Sequence, residues 1–294
     1  MRRSYVNDPR LSDQVFELLD QVFTDLRQAA RVARAFGTVW EDISTPYVTF
    51  ADGRVVAHLG LIELPLIIDG QAKTVGSIHA VATHPEYRRR GYYRQLMEQV
   101  LADARDRYEI LILTTENPEY YEPFGFRWVG EHKFTVPWSD PAGDDGLRRL
   151  APDNVDDLAL LHHLLAVREP VSSLLGVGPE HAVFCFNECP RPLYLLPDLE
   201  VILWSGKGGD QAGAVRRGGP GHTLSGRVAD TNPVADRGSR HLLCARPSGC
   251  GGHGYPARSG SRWTGLSHGR GRVCRGKPTV HAAPFGADLI CRDI

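Results

Sequence analysis

Long apolar runs are absent from this sequence of 294 residues. No stretch approaches the ~20 consecutive apolar residues that a membrane-spanning helix needs, so we expect no membrane partner. Six scattered cysteines are too few for a disulfide framework, and we expect them to be reduced thiols. The N-terminus turns polar within a few residues, unlike a secretory signal. A cytoplasmic protein is therefore the expectation.

An excess of charge of either sign is also missing, because the formal net charge is -1 at pH 7. Such a balance gives no overall attraction to nucleic acid, which is not an expected partner on this ground. Apolar residues make up 42% and charged residues 23% of the chain, which is ordinary for a soluble globular protein. The length allows one large domain or two smaller ones.

Glutamate disappears after Glu200, and glycine, arginine, serine and histidine dominate from about residue 206 onward. No sustained period of 3.6 or 2 is present there, so we predict an irregular tail over residues 206–294. Its composition resembles a GC-rich gene read out of frame. A different interpretation makes the tail an Arg/Gly-rich segment that binds RNA.

The residues before this tail alternate between helical and strand patterns. Apolar residues such as Val15, Leu18 and Leu19 share one helical face, with Ser12 as the expected N-cap. Two Asp-Gly pairs between β-rich runs predict tight hairpin turns. "YEILILTT" is a short apolar run, typical of a buried strand. The expected fold class is α/β with a mixed sheet, including strands at about 46–51, 54–68 and 71–83 and a helix from Gly91 to about Arg105.

The stretch "HPEYRRRGYYRQLM" places a basic loop between the third strand and this helix. The first N–H groups of a helix and the positive end of its dipole favour an anion such as a pyrophosphate. Gly91 would allow the main chain to approach that anion without an intervening side chain. Arg88, Arg89, Arg90 and Arg94 add counter-charge. A solvated charge run before a surface helix is the alternative.

This stretch resembles the acetyl-CoA-binding signature of the GNAT N-acetyltransferase superfamily, in which Gln or Arg is followed by two residues, Gly, one residue, and Gly or Ala. Tyr93 departs from that pattern because it replaces the small residue. A second stretch, "ENPEYYEPFGFRWVG", resembles the region after the fifth strand of that superfamily, with Tyr121 four residues before Gly125. The resemblance covers about residues 1–140. It implies acetyl-CoA as a co-substrate, no metal, and direct transfer to an amine while both substrates are bound.

The resemblance also implies which residues bind the co-substrate. Strand residues would offer main-chain groups to the pantetheine arm, and the basic loop would wrap the pyrophosphate. Asn117 would either bind the co-substrate or form an Asx turn. The expected binding residues are Val81, Ala82, Thr83, Arg88, Arg89, Arg90, Gly91, Tyr92, Tyr93, Arg94 and Asn117.

Three residues are candidates for catalysis. Tyr121 is the candidate general acid for the coenzyme A thiolate, because a phenol with an ordinary pKa of about 10 stays protonated at neutral pH. A packing aromatic is the alternative for Tyr121. His79 and Glu63 are the candidate general bases, acting directly or through water, and a water chain without either is left open.

A second unit follows the acetyltransferase-like part. A helix at about 154–166, capped by Asp153 or Asn154, and strands near 192–204 form it. The layout resembles the enhanced-intracellular-survival acetyltransferases, which carry a degenerate second acetyltransferase-like domain. The expected division is 1–142, 147–205 and the tail.

The expected function is N-acetyltransfer to a primary amine on a small molecule or peptide. An inactive module that binds or senses acyl-CoA, and an RNA-associated protein acting through the tail, are the alternatives. The sequence does not identify the acceptor or the oligomeric state, and a homo-oligomer is one open possibility.

Overall fold

A computed structural model of the chain describes residues 2–129, 147–168, 170, 173–197, 200–205, 212–216 and 241–245. Helices and strands account for most of these residues. The helices are α1 (Leu11–Leu19), α2 (Leu26–Ala35), α3 (Trp40–Ile43), α4 (Tyr92–Ala104), α5 (Val155–Val167) and α6 (Ala182–Glu188). The strands are β1 (Thr45–Ala51), β2 (Arg54–Ile68), β3 (Gln71–Thr83), β4 (Leu111–Thr115), β5 (Arg127–Val129), β6 (Arg148–Arg149), β7 (Leu175–Val177), β8 (Leu193–Leu196), β9 (Val201–Ser205), β10 (Ala212–Arg216) and β11 (His241–Ala245).

The meander β1-β2-β3 has the predicted bounds to within one residue. Each of its two turns holds an Asp and a Gly in the left-handed region, with φ of 51° and 75° at Asp52 and Gly53 and of 50° and 73° at Asp69 and Gly70. Two such residues in succession form the tight turn whose twist matches that of the flanking strands. The Asp-Gly pairs therefore carried enough information to define this hairpin pair.

The N-terminal helical pattern contains two helices where one was expected. Helix α1 ends at Leu19, and Asp25, with a φ of 65°, precedes α2. Ser12 is not an N-cap, because α1 begins at Leu11 and its cap position is Arg10. The Ser12 hydroxyl instead donates to Glu41 Oε1 over 2.6 Å, which links α1 to α3.

The larger sheet is mixed, as predicted. Its strand order is β1-β2-β3-β4-β11-β5, and β7 pairs with the far end of β2. The pair β3-β4 is parallel, and β11 lies antiparallel to both β4 and β5. Strand β11 and strand β10 are two short ordered segments within residues 206–294, and the remainder of the predicted tail lies outside the described residues.

Residues 147–205 contribute helices α5 and α6 and strands β6, β8 and β9, which form a second sheet with β10 in the order β10-β9-β8-β6. Asn154 is the N-cap of α5, accepting hydrogen bonds from the N–H groups of Asp156 and Asp157. One apolar core joins α1 and α2 to α5, α6 and β8. The division of the chain at about residue 142 stays a prediction. In the described part of the chain, no helix is long and apolar enough to span a bilayer.

Candidate functional site

Strands β3 and β4 are paired over a short distance and then separate. Their parallel pairing joins Gly76 to Leu111 and Ser77 to Ile112, and the described residues show no further pairing between these strands. Strand β3 continues to Thr83 and β4 to Thr115. The edges of β3 and β4 that face each other are therefore unpaired at residues 79–83 and 113–115. We call the space between these two edges the β3–β4 gap.

A β-bulge in β3 decides which main-chain groups face this gap. Before the bulge, Gly76 N–H donates to Ile110 O on the β4 side. The register with β2 then shifts between the pairs Gly60–His79 and His58–Ala82. After the bulge, His84 N–H donates to Val56 O on the β2 side.

Since successive residues of a strand direct their N–H and C=O groups to opposite edges, His84 and Ala82 face β2. Val81 and Thr83 consequently direct theirs to the other edge, toward the β3–β4 gap. The extra residue of the bulge is Ala80, whose φ is 47°.

The basic loop and the first turn of α4 follow Thr83 closely. Arg89 and Gly91 have φ values of 62° and 82°, and Gly91 is the N-cap residue of α4 without a side-chain cap. The first N–H groups of α4 have no intrahelical acceptor, as at the start of every helix. A Cβ placed on Gly91 would meet no protein atom within 4 Å. Its left-handed φ, rather than crowding by the protein, therefore favours glycine there.

The four arginines of this loop and helix point in different directions. Arg88 Nε lies 3.4 Å from Thr83 O, and Arg90 Nη2 donates to Glu86 O over 2.9 Å. Arg90 also lies over the Tyr87 ring, at 4.6 Å from its centroid. Arg94 lies over the Phe124 ring at 5.7 Å. Arg89 is exposed.

Tyr121 is fully buried. It belongs to one apolar cluster with Val81 and Leu113, which come from the two strands that separate. Tyr93, the residue that departs from the family pattern, packs edge-to-face on Tyr121 with ring centroids 6.0 Å apart. Its hydroxyl donates to Tyr120 O over 2.9 Å. The bulky side chain thus joins α4 to the turn that carries Tyr121.

Asn117 lies at the end of β4 and is half-buried. Its N–H donates to Thr115 Oγ1 over 3.0 Å, and its side chain makes no cap hydrogen bond to the turn that follows. The Asx turn considered from the sequence is therefore not formed.

The two candidate bases lie on opposite faces of the β2–β3 pair. Glu63 is on the α4 side, where it accepts from Tyr108 Oη over 2.5 Å and pairs with Arg107 at 3.1 Å. Its side chain is 61% exposed. His79 is buried on the other face, with Nε2 at 2.9 Å from Ser44 Oγ and its ring against Trp40. Burial lowers the pKa of His79 well below its usual value, so its imidazole is neutral.

His58 is a residue that sequence reasoning missed. It is fully buried on β2, and its Nδ1 lies 2.7 Å from the carbonyl oxygen of Ala80 at the bulge. Counting back from the Asp69–Gly70 turn pairs Gly60 with His79, as observed. That count does not reveal the extra residue in β3, so it does not place His58 beside Ala80.

The described residues contain no group of three or more His, Cys, Asp and Glu side chains that could hold a metal ion. Cys185 and Cys189 are buried free thiols in the second unit. Both belong to the apolar core that also contains Ala80 and Ala82, and we give neither a role in the site.

Residues 9–129 match the family model described as an acetyltransferase (GNAT) domain. This segment contains the meander, the bulge, the basic loop, α4, β4 and the Tyr121 turn. A comparison with curated proteins gave no significant match.

Solved structures with similarity to the chain include three acyltransferases or related proteins. A conserved protein from Enterococcus faecalis V583, described as a probable N-acyltransferase, is 15% identical with a TM-score of 0.47; the match covers 72% of this chain and 53% of that one. The chain thus spans about half the length of that protein. A GCN5-related N-acetyltransferase from Kribbella flavida is 15% identical with a TM-score of 0.49, covering 80% and 68%. A Brucella melitensis GNAT family acetyltransferase in complex with acetyl-CoA is 19% identical with a TM-score of 0.35, covering 43% and 82%.

Proposed function

We propose that this chain, whose residues 9–129 match the model of a GNAT acetyltransferase domain, transfers an acetyl group from acetyl-CoA to a primary amine by direct attack within a ternary complex. The observation that carries the proposal is the gap between two parallel strands that separate, together with the helix N-terminus that follows β3 along the chain and has no side-chain cap. An extended pantetheine arm matches the first feature, and a diphosphate matches the second.

Main-chain groups bind most of the co-substrate in this proposal. Val81 and Thr83 direct their N–H and C=O groups to the gap, where they can pair with the amides of pantetheine as a neighbouring strand would. The N–H groups at the start of α4 bind the diphosphate, with Arg89 and Arg94 as nearby exposed counter-charges. Arg88 and Arg90 hold the loop itself through the carbonyls of Thr83 and Glu86.

The chemical step forms a bond between the amine nitrogen and the thioester carbonyl carbon and breaks the carbon–sulfur bond. The N–H of Val81 stabilises the oxyanion that develops, because a fixed donor in a buried site costs little reorganisation. Tyr121 gives its phenolic proton to the departing thiolate and later regains one from water. Burial of Tyr121 beside Val81 and Leu113 supports this assignment.

The attacking amine loses its proton to water rather than to Glu63 or His79. Glu63 is held at the surface by Tyr108 and Arg107, on the face away from His79. His79 is 2% exposed and in contact with Ser44 and Trp40, so an amine has no approach to it. Neither side chain is therefore assigned as the base.

The acceptor is a small molecule or peptide that carries a primary amine. Release of coenzyme A from acetyl-CoA with a panel of aminoglycosides, polyamines and peptides, together with calorimetric binding of acetyl-CoA, tests the proposal. Turnover with at least one amine supports an N-acetyltransferase. Tight binding without turnover on any amine would instead identify a binding module. Salt-sensitive RNA binding that is lost on truncation at residue 205 would support the alternative role of the tail.

A further inference from the structure

We infer that His58 is a positioning residue, which fixes the orientation of the peptide between Ala80 and Val81 and thereby aims the Val81 N–H into the β3–β4 gap. The consequence of this inference for acyl transfer rests on the proposed function. The orientation of the peptide itself is a property of the free protein.

The imidazole makes a directed hydrogen bond to the bulge. A carbonyl oxygen has no proton to give, so the 2.7 Å contact requires that His58 Nδ1 carries the hydrogen and donates it to Ala80 O. The side chain is 0% exposed, and water does not compete for this donor. Burial lowers the pKa of His58 to about 4, so the neutral ring with this tautomer persists over the physiological range of pH.

The backbone at the acceptor is one that alanine rarely adopts. Ala80 has a φ of 47°, a left-handed conformation that costs an L-residue free energy unless neighbouring contacts hold it. The Cβ of Ala80 lies in the same buried core as Trp40 and Ala82. The hydrogen bond from His58 offsets part of the cost and selects one orientation of the carbonyl.

Orientation of the carbonyl determines that of the next N–H. In a planar trans peptide the N–H points opposite to the C=O of the same unit. Because Ala80 O points to an imidazole on β2, Val81 N–H points away from that imidazole. The alternation along β3 after the bulge places Val81 on the edge opposite β2, and β4 lies on that side, so the N–H faces the gap.

A leucine in place of His58 keeps much of the buried volume and removes the donor, whereas asparagine keeps an N–H near the position of Nδ1. In free protein, the ¹³C shifts of Ala80 report its φ, and the amide shift of Val81 reports the peptide orientation. We expect both to change in His58→Leu and to stay near the parent values in His58→Asn. If His58→Leu does not fold, His58→Gln serves, because its amide is one bond too far away. Parent-like shifts in a variant without the donor would overturn the inference.

The second measurement uses acetyl-CoA labelled with ¹³C at the thioester carbonyl. We expect His58→Leu to lose at least about tenfold in kcat, with the bound carbonyl resonance moving toward its position in free acetyl-CoA. His58→Asn should recover most of both. Leu165→Ala, which removes a buried side chain from α5, controls for lost stability and should change neither. A parent protein that does not bind acetyl-CoA refutes the proposed function, and the shifts of the free protein still decide the role of His58.

Discussion

Replacement of Gly91 by alanine should weaken acetyl-CoA binding through the backbone rather than through a clash. Gly91 has a φ of 82°, and a Cβ there meets no protein atom within 4 Å. An alanine in this conformation costs about 1–2 kcal/mol. The loop is exposed, so we expect it to relax toward a negative φ and to turn the first N–H groups of α4 away from their common direction.

The expected loss is at least about tenfold in the affinity for acetyl-CoA, equivalent to about 1.4 kcal/mol, measured by titration calorimetry. Gly70→Ala is the matched control. Gly70 has a φ of 73° and equally open surroundings, but lies in the turn between β2 and β3, far from the loop. Urea denaturation should show a loss of about 1 kcal/mol or more in stability for Gly70→Ala, with unchanged affinity.

Gly91→Asn separates two reasons for the glycine. Asparagine tolerates the left-handed region better than other residues, so it should retain more affinity than alanine if conformation is the reason. A loss in Gly91→Asn as large as in Gly91→Ala would point instead to contact between a side chain and the diphosphate. Parent-like affinity in Gly91→Ala would refute the assignment of this loop to the co-substrate.

Three further predictions concern side chains around the site. Tyr121→Phe keeps the buried ring and removes the acidic proton, so kcat should fall at least about tenfold while the Kd for acetyl-CoA stays within about threefold. Equal kcat in the variant and the parent in steady-state assays would remove Tyr121 from the mechanism. Glu63→Gln should leave kcat within about twofold at every pH tested, because Tyr108 and Arg107 engage Glu63 at the surface. If the pH profile of kcat in this variant lost its acidic or alkaline limb, Glu63 would be restored as the base. Burial lowers the pKa of His58 to about 4, below its ordinary value of 6.5, so the unfolded chain binds a proton that the folded chain does not as the pH falls below about 6.5. From His58 alone, the free energy of unfolding should be at its full value above that pH and lower by about 2 kcal/mol at pH 5. Urea unfolding of the parent and of His58→Asn should show this difference. An identical pH dependence of the unfolding free energy in the two proteins would contradict the burial of a neutral imidazole.

The elements around the site were predictable because short-range patterns define them. The Asp-Gly turns set the lengths of β2 and β3, and the apolar period of α4 placed that helix to within a residue at each end. The N-terminal helices were less predictable. Their apolar face continues across the break, and the left-handed residue at Asp25 has no signature as strong as a glycine.

The candidate site was predictable as a list of residues and not as an arrangement. Val81, Gly91 and Tyr121 came from the two motifs. The structure shows Val81 and Tyr121 in one buried apolar cluster and Gly91 at the start of α4, and their roles stay predictions. The motifs contain nothing about His58, because a histidine in an apolar strand has the same pattern whether or not a bulge faces it. The proposed alternatives for the base, Glu63 and His79, could not be compared until their opposite faces were known.

Local sequence alone determined the meander, the helix that follows the basic loop and the chemical character of that loop, since turn chemistry and side-chain period act over a few residues. The tertiary structure decided where β3 and β4 separate and which N–H groups face the space between them. It also placed β11, from far along the chain, between β4 and β5. These features depend on strand register and on contacts between distant residues, and a one-residue bulge changes them without leaving a pattern that a single sequence reveals.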